Sequence, residues 1–432
     1  MYCPKCGSML DPGANFCVVC GAPVESVSGR DGFLDQYTYD QSAYDRGSDR
    51  RHVPNRRRRR SVGTYVLLAV ILVVLIVPVA DILIRDAPEE PERSYSVGDL
   101  TVRGGLYNDL VVAESSGDSA TLTYQGDGQV VWHVKDLCGT AFVQSGDVYV
   151  PRSYESTDGN VLTISTPGKY QVLLYDDGAQ ICSGTAVLDG DITDTYTWSR
   201  LNGGSHSYEV RFTYRFSDFL VYDEDDEYRR DSYSLPMSRF VVVDDTLLRL
   251  SDALADEYRQ VHGSGASVTG QDYADYLLSF VQCVFAYPTQ ISPGPDGYYH
   301  LDTEGGYGDM FLEGAEEYWA FPMETLYHRM GDCEDTSFLL SALYSAAGYR
   351  SVLMTPPGHM MVGVVLDSFQ PDTLYSVYYA YGEKTLTSTG ERVFLCETTY
   401  DSAVPVGYYD PSMVGQVATV TEVTVVDPHV RA

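Results

Sequence analysis

The sequence predicts a multidomain protein: a small cysteine-knuckle module, one transmembrane helix, a β-sandwich and then an α+β domain. Three observations predict it. Two C-x-x-C pairs fall within the first 20 residues, an uncharged apolar run covers Ser61 to Ala80, and beyond residue 93 short alternating strands give way near residue 193 to helix-period stripes mixed with strands. At 432 residues the chain exceeds one ordinary domain.

The stretch "CPKCGSMLDPGANFCVVCG" sets Cys3, Cys6, Cys17 and Cys20 as two pairs ten residues apart, with Gly7 and Gly21 after each pair. Four thiolates at this spacing close a tetrahedral zinc site, and glycine permits the tight turn that aims backbone N–H groups at sulfur. Two disulfides are the alternative, a poor one in a reducing compartment. With all four positions filled by protein, nothing remains for a substrate, so the Zn2+ is expected to be structural. Residues 1–24 resemble the short zinc ribbon at the N-terminus of many archaeal and bacterial membrane proteins, which implies an interaction module with an unidentified cytoplasmic partner. Residues 25–60, rich in Ser, Gly, Asp, Tyr and Arg, bury no core and read as a flexible basic linker.

Ser61 to Ala80 is 20 uncharged, mostly apolar residues, matching a hydrocarbon core about 30 Å thick at about 1.5 Å per residue. A transmembrane helix is expected over 61–84. A signal peptide would be shorter and would begin the chain. Arg50, Arg51 and Arg56 to Arg60 crowd its N-terminal side, so the first 60 residues are expected in the cytoplasm and the C-terminal domains outside, as in a single-pass protein of the cell membrane. An arginine block also suits nucleic acid, but a position against anionic lipid explains it more simply. Residues 85–93 are a stiff spacer. Residues 85–432 carry 53 of the 61 acids and 19 of the 29 Lys/Arg, a balance of −34. Such a field repels polyanions, and no nucleic-acid partner is expected.

Residues 94–192 show runs such as "ATLTYQ", "VVWHV" and "YQVLLYDDG" between Gly-Asp, Asp-Gly and Pro-Gly turns, the pattern of a β-sandwich compatible with immunoglobulin-like topology. Cys138 and Cys182 lie here and could form a disulfide or remain buried free thiols; Trp132 reads as core.

Residues 193–432 mix strands with two amphipathic helices, "DDTLLRLSDALADEYRQVHG" and "DYADYLLSFVQCVFAYP". The third helical run follows "GDCED". With Asp332 as N-cap, Cys333 opens the helix, Asp335 closes a capping box, and Gly348 supplies the left-handed terminator. A cysteine at the positive end of a helix has a lowered pKa, partly opposed here by the neighbouring acids, and a histidine is the usual cationic partner. His359 begins the strand-like run "HMMVGVVLD". Glu397, an acid in the apolar run "RVFLCETTY", would be paired by orienting that imidazole.

With this order of Cys, His and acid, residues 319–399 resemble the transglutaminase-like superfamily, whose core is a papain-like triad, and in particular its membrane-attached archaeal and bacterial branch with "GDCED", "PGHM.VGV" and "ETT". The resemblance implies Cys333 as nucleophile, His359 as base and Glu397 as orienting acid, where many members have Asp. It implies a cysteine protease, amidase or acyltransferase that needs no catalytic cofactor and acts on amide bonds of surface proteins or peptides. Trp319 would line the substrate or oxyanion side, or simply pack. The alternatives are a catalytically inactive surface-binding scaffold, and a metal site built from Cys333, His359 and the acids, for which the usual ligand spacing is missing outside the ribbon.

Overall fold

The computed structural model describes residues 94–432 apart from 118, 140–141, 146–147, 152, 202–204, 224–235, 289–290, 296–297, 302–317, 401, 421–422 and 428–432. The expected ribbon, linker, transmembrane helix and spacer lie outside the described residues. All described residues belong to one compact unit, Pro88–Ala432.

Its first part contains eleven short strands: β1 (Ser94–Val97), β2 (Leu100–Gly104), β3 (Val111–Ser116), β4 (Ser119–Tyr124), β5 (Val130–Asp136), β6 (Phe142–Ser145), β7 (Val148–Pro151), β8 (Glu155–Asp158), β9 (Val161–Ile164), β10 (Gly168–Asp176) and β11 (Ala179–Leu188). A six-stranded sheet, β1-β2-β11-β10-β5-β8, and a three-stranded sheet, β3-β4-β9, share one core through Leu100, Leu122, Trp132, Leu162, Val172 and Leu174. Alternation does the sorting. In β4 every second residue, Ala120, Leu122 and Tyr124, is buried, because successive strand side chains face opposite sides. Trp132 is fully buried and donates its indole N–H to the Gly159 carbonyl at 2.8 Å, so its one polar group is satisfied. Asp177 (φ 47°) and Gly178 (φ 77°) turn β10 into β11, a pairing that suits the two left-handed positions of a tight hairpin.

The second part begins with a long antiparallel ribbon, β12 (Asp191–Leu201) and β13 (Ser205–Arg215), followed by α1 (Phe216–Asp223), α2 (Asp245–His262) and α3 (Gln271–Val284). Asp244 caps α2 by accepting from Leu247 N at 2.8 Å, and Leu247, Leu250, Leu254 and Tyr258 form its buried stripe. The strands β14 (Ile291–Pro293) and β15 (Tyr299–Leu301) join β7 and β6 in a four-stranded sheet. Next come α4 (Pro322–His328), α5 (Cys333–Ala346), β16 (Ser351–Met354), β17 (Met361–Val365), β18 (Ala380–Tyr381), β19 (Glu383–Thr385), β20 (Arg392–Cys396), β21 (Tyr408–Tyr409), α6 (Val414–Thr419) and β22 (Val423–Val426). An antiparallel sheet, β19-β20-β17-β16-β22, supports α5, which is buried almost all round: Phe338, Leu339, Leu340, Leu343 and Tyr344 are each fully covered. Truncating one such leucine to alanine costs about 2–5 kcal/mol, so the position of α5 is strongly held.

The two parts meet at an apolar seam. Phe219 is fully buried beside Cys138 and Val187 and stacks on Tyr327 at 4.0 Å between ring centroids. Arg215 adds ion pairs to Asp189 at 2.7 Å and Asp99 at 2.8 Å. Half-exposed pairs contribute about 0–1 kcal/mol, against about 1.5–3 for a buried phenylalanine side chain. The apolar contact therefore dominates.

The expected architecture is corrected in two respects. Among the described residues no helix is long and apolar enough to cross a membrane, against a single-pass membrane protein with its C-terminal domains outside. The physical reason is amphipathicity: the longest helix described, α2, has 18 residues, and it sets Asp245, Arg249, Asp252, Asp256 and Arg259 opposite its buried stripe. The segment 61–84 that carried the expectation lies outside the described residues. Moreover, the described chain is mostly sheet with few helices, because ribbons and small sheets frame the helices of the second part as well.

Candidate functional site

The site is assembled at the start of α5. Asp332 is the N-cap, its carboxylate accepting from Glu334 N at 3.1 Å and Asp335 N at 3.4 Å, and Asp335 accepts in return from Asp332 N at 3.3 Å. Asp335 is fully buried and also accepts from Ala320 N at 2.7 Å, which ties the 318–321 segment to the helix. A Cβ at Gly331 would lie 2.6 Å from Asp335 Cβ, so this turn requires glycine.

Cys333 occupies the first helical position and is 6% exposed. Its thiol donates to Glu334 Oε2 at 2.8 Å, and the Met360 backbone N–H donates to the sulfur. The Tyr287 hydroxyl also hydrogen-bonds to Cys333. Tyr287 is brought there by a backbone bridge, Ala286 N to Arg329 O and Gly331 N to Ala286 O, each 3.1 Å.

His359 lies in a turn closed by its own N–H on Pro356 O at 3.0 Å, two residues before β17 rather than within it. Its Nε2 meets Glu397 Oε2 at 2.8 Å. Glu397 follows the last residue of β20, and the pairing of Val362 with Cys396 brings the two strand ends side by side. Thr399 donates N–H (3.0 Å) and Oγ1–H (2.7 Å) to Glu397 Oε1, and the Gln282 amide donates to the Glu397 carbonyl at 2.6 Å. Nδ1 of His359 is then the ring nitrogen left for proton exchange.

The electrostatics split the site. Burial opposes ionisation of Glu397, but the charge and hydrogen bond of His359 and the Thr399 donors outweigh it, and its pKa is lowered. Burial likewise opposes the charged form of His359, and Glu397, with a further push from Glu334, raises its pKa. Cys333 is raised far above the ordinary thiol range by burial, then by the charges of Glu334 and Asp332; the Met360 N–H opposes them weakly. Glu397 thus holds the His359 ring beside a thiol that burial and the flanking acids keep neutral, and among the described residues no hydrogen bond joins Cys333 to His359.

Of the other expected residues, Trp319 shares a buried cluster with Cys333, Cys138 and Cys182 lie in the first part of the unit, and the rest fall outside the described residues. Trp319 is 7% exposed and sets its ring edge against Phe240 (5.2 Å) and Phe338 (5.7 Å). Cys138 and Cys182 are both free thiols: Cys138 sits in the seam donating to Asp223 at 3.5 Å, while Cys182 lies on β11 opposite Leu174. Cys3, Cys6, Cys17 and Cys20 lie outside the described residues. Donor atoms of Asp332, Cys333 and Glu334 fall within 4.8 Å of one another, but the Asp332 carboxylate serves the cap and Glu334 holds the thiol proton. Tyr287, Glu334 and Gln282 are the participants that sequence reasoning missed. Only Glu334 had a signal, its place beside the cysteine; the other two arrive through long-range packing.

A cavity of about 260 Å³ opens beside this centre, between the end of α3 and the residues after Glu397. A larger polar one, about 640 Å³, lies at the opposite end of α3 against the buried Arg200–Asp275 pair.

Comparison with known families supplies the N-terminal identification: residues 2–24 match the zinc-ribbon domain. Cys3, Cys6, Cys17 and Cys20 are the four soft donors such a domain uses and would hold a structural zinc ion. No transglutaminase-like family is among the matches. No curated protein matches the chain.

Proposed function

We propose that the chain is a papain-like cysteine enzyme of transglutaminase-like type, hydrolysing or transferring amide bonds of proteins or peptides through Cys333, His359 and Glu397. The observation that carries the reading is the 2.8 Å bond between His359 Nε2 and a Glu397 that is 2% exposed, next to the turn whose Met360 N–H reaches the Cys333 sulfur. A buried carboxylate is costly without a purpose, and orienting an imidazolium is one. In the proposed cycle the Cys333 sulfur leaves Glu334, gives its proton to the neutral form of the His359 ring and attacks the amide carbon. The Cys333 backbone N–H faces the oxyanion, and His359 protonates the departing amine. Water or a second amine, deprotonated by His359, then cleaves the thioester and frees the thiol.

One observation favours the second reading, an inactive scaffold: the resting thiol is neutral and held by Glu334. Alkylation by iodoacetamide, with turnover of fluorogenic peptide amides, separates the two. Turnover is expected in wild type and lost in Cys333→Ala. Glu334→Gln removes the charge that, after burial, does most to raise the thiol pKa, and should speed Cys333 alkylation at neutral pH. Turnover persisting in Cys333→Ala, or absent from wild type on all amides tried, leaves only the scaffold.

A further inference from the structure

We infer that the 260 Å³ cavity beside Cys333 is a selectivity pocket that takes one aromatic or large aliphatic side chain of a polypeptide substrate. The inference rests on the cysteine-enzyme reading. Location is the first argument. The cavity wall includes Gly331, two residues before Cys333, and Thr399, a hydrogen-bond donor to Glu397. Tyr287, which also lines it, touches the Cys333 sulfur. A side chain lodged there belongs to a residue at or next to the scissile amide.

Size is the second argument. A cavity of about 150 Å³ admits benzene, whereas pockets for whole small-molecule ligands start near 300 Å³. At about 260 Å³ the space fits one bulky side chain and is small for a cofactor.

The lining decides the chemistry. Among the described residues that line the cavity none is Asp, Glu, Lys, Arg or His, although residues 85–432 carry a net charge of −34. Three polar side chains of the wall are already engaged: Gln282 bonds Glu397 O, Val404 O and Val404 N, Thr336 Oγ1 bonds Asp332 O, and Thr399 Oγ1 bonds Glu397. Phe285 and the threonine methyls remain as contact surface. An entering charge would lose its water and find no charged partner among the described residues, whereas an apolar ring gains from burial.

The test uses the full chain and internally quenched peptides that differ only at the residue flanking the cleaved bond: Phe, Leu, Ala, Lys or Glu. The expected kcat/KM for Phe and Leu exceeds that for Ala at least tenfold, with Lys and Glu lowest. Ala286→Trp is the diagnostic variant, because Ala286 lines the cavity, is exposed, and is anchored by backbone bonds that any residue can make. It should cut kcat/KM for the Phe peptide at least tenfold more than for the Ala peptide. If circular dichroism shows that Ala286→Trp fails to fold, Ala286→Leu, with a smaller loss of the same sign, takes its place. Equal rates across the five peptides, or a Phe preference that survives the filling variant, overturn the pocket while leaving the enzyme reading intact. No Cys333-dependent cleavage of any peptide overturns both.

Discussion

Glu397 shows how one residue reports on its surroundings. An ionised carboxylate at 2% exposure is tolerated because His359 and Thr399 together satisfy it. The pair makes folding pH-dependent. His359 is raised from its ordinary 6.5, so its contribution is complete below that value and is lost as pH rises through the raised one. Glu397 is lowered from 4.5, so its contribution is complete above that value and is lost as pH falls through the depressed one. Both are complete only between about pH 4.5 and 6.5. Thermal unfolding of wild type and His359→Gln should therefore differ most within that window, with the gap narrowing at pH 3 and at pH 9 as set by these shifts. A pH-independent gap would show that the pair does not titrate as described. The acid was legible in the sequence as a misfit in "RVFLCETTY". The neutral state of the thiol was not, because it depends on where the Glu334 carboxylate turns.

Among the elements, α5 is the one whose start matters most. Its cap, its capping box and the left-handed Gly348 (φ 89°) all follow from residues within a few positions of each other, and they were readable for that reason. Asp332→Ala should cost about 0.5–2 kcal/mol in urea unfolding, the usual range for losing an N-cap. A value near zero would mean that Asp335 and Ala320 hold the helix start unaided. The strand ends were less legible. His359 falls two residues short of β17 and Glu397 one past β20, because strand limits depend on partners far along the chain: Val362 with Cys396, and Met354 with Met361.

At the scale of the molecule, Pro88–Ala432 behaves as one compact unit with Phe219 in the seam between its parts. Phe219→Ala should destabilise it by about 3–5 kcal/mol, the range for emptying a buried aromatic site. Calorimetry should show one transition moved to lower temperature. Two separated transitions would indicate that the seam does not couple the parts.

By itself the sequence determined what is local: the cysteine spacing of the zinc ribbon at residues 2–24, the alternation that sorts sandwich residues, and the stripe and caps of α2 and α5. Each follows from backbone geometry with a period of a few residues. Tertiary structure alone decided that Cys138 and Cys182 remain free, that Tyr287 reaches Cys333, that the thiol rests on Glu334, and that a cavity opens beside it. Those distances are sums of many packing choices between residues far apart in the chain, and no short window of sequence contains them.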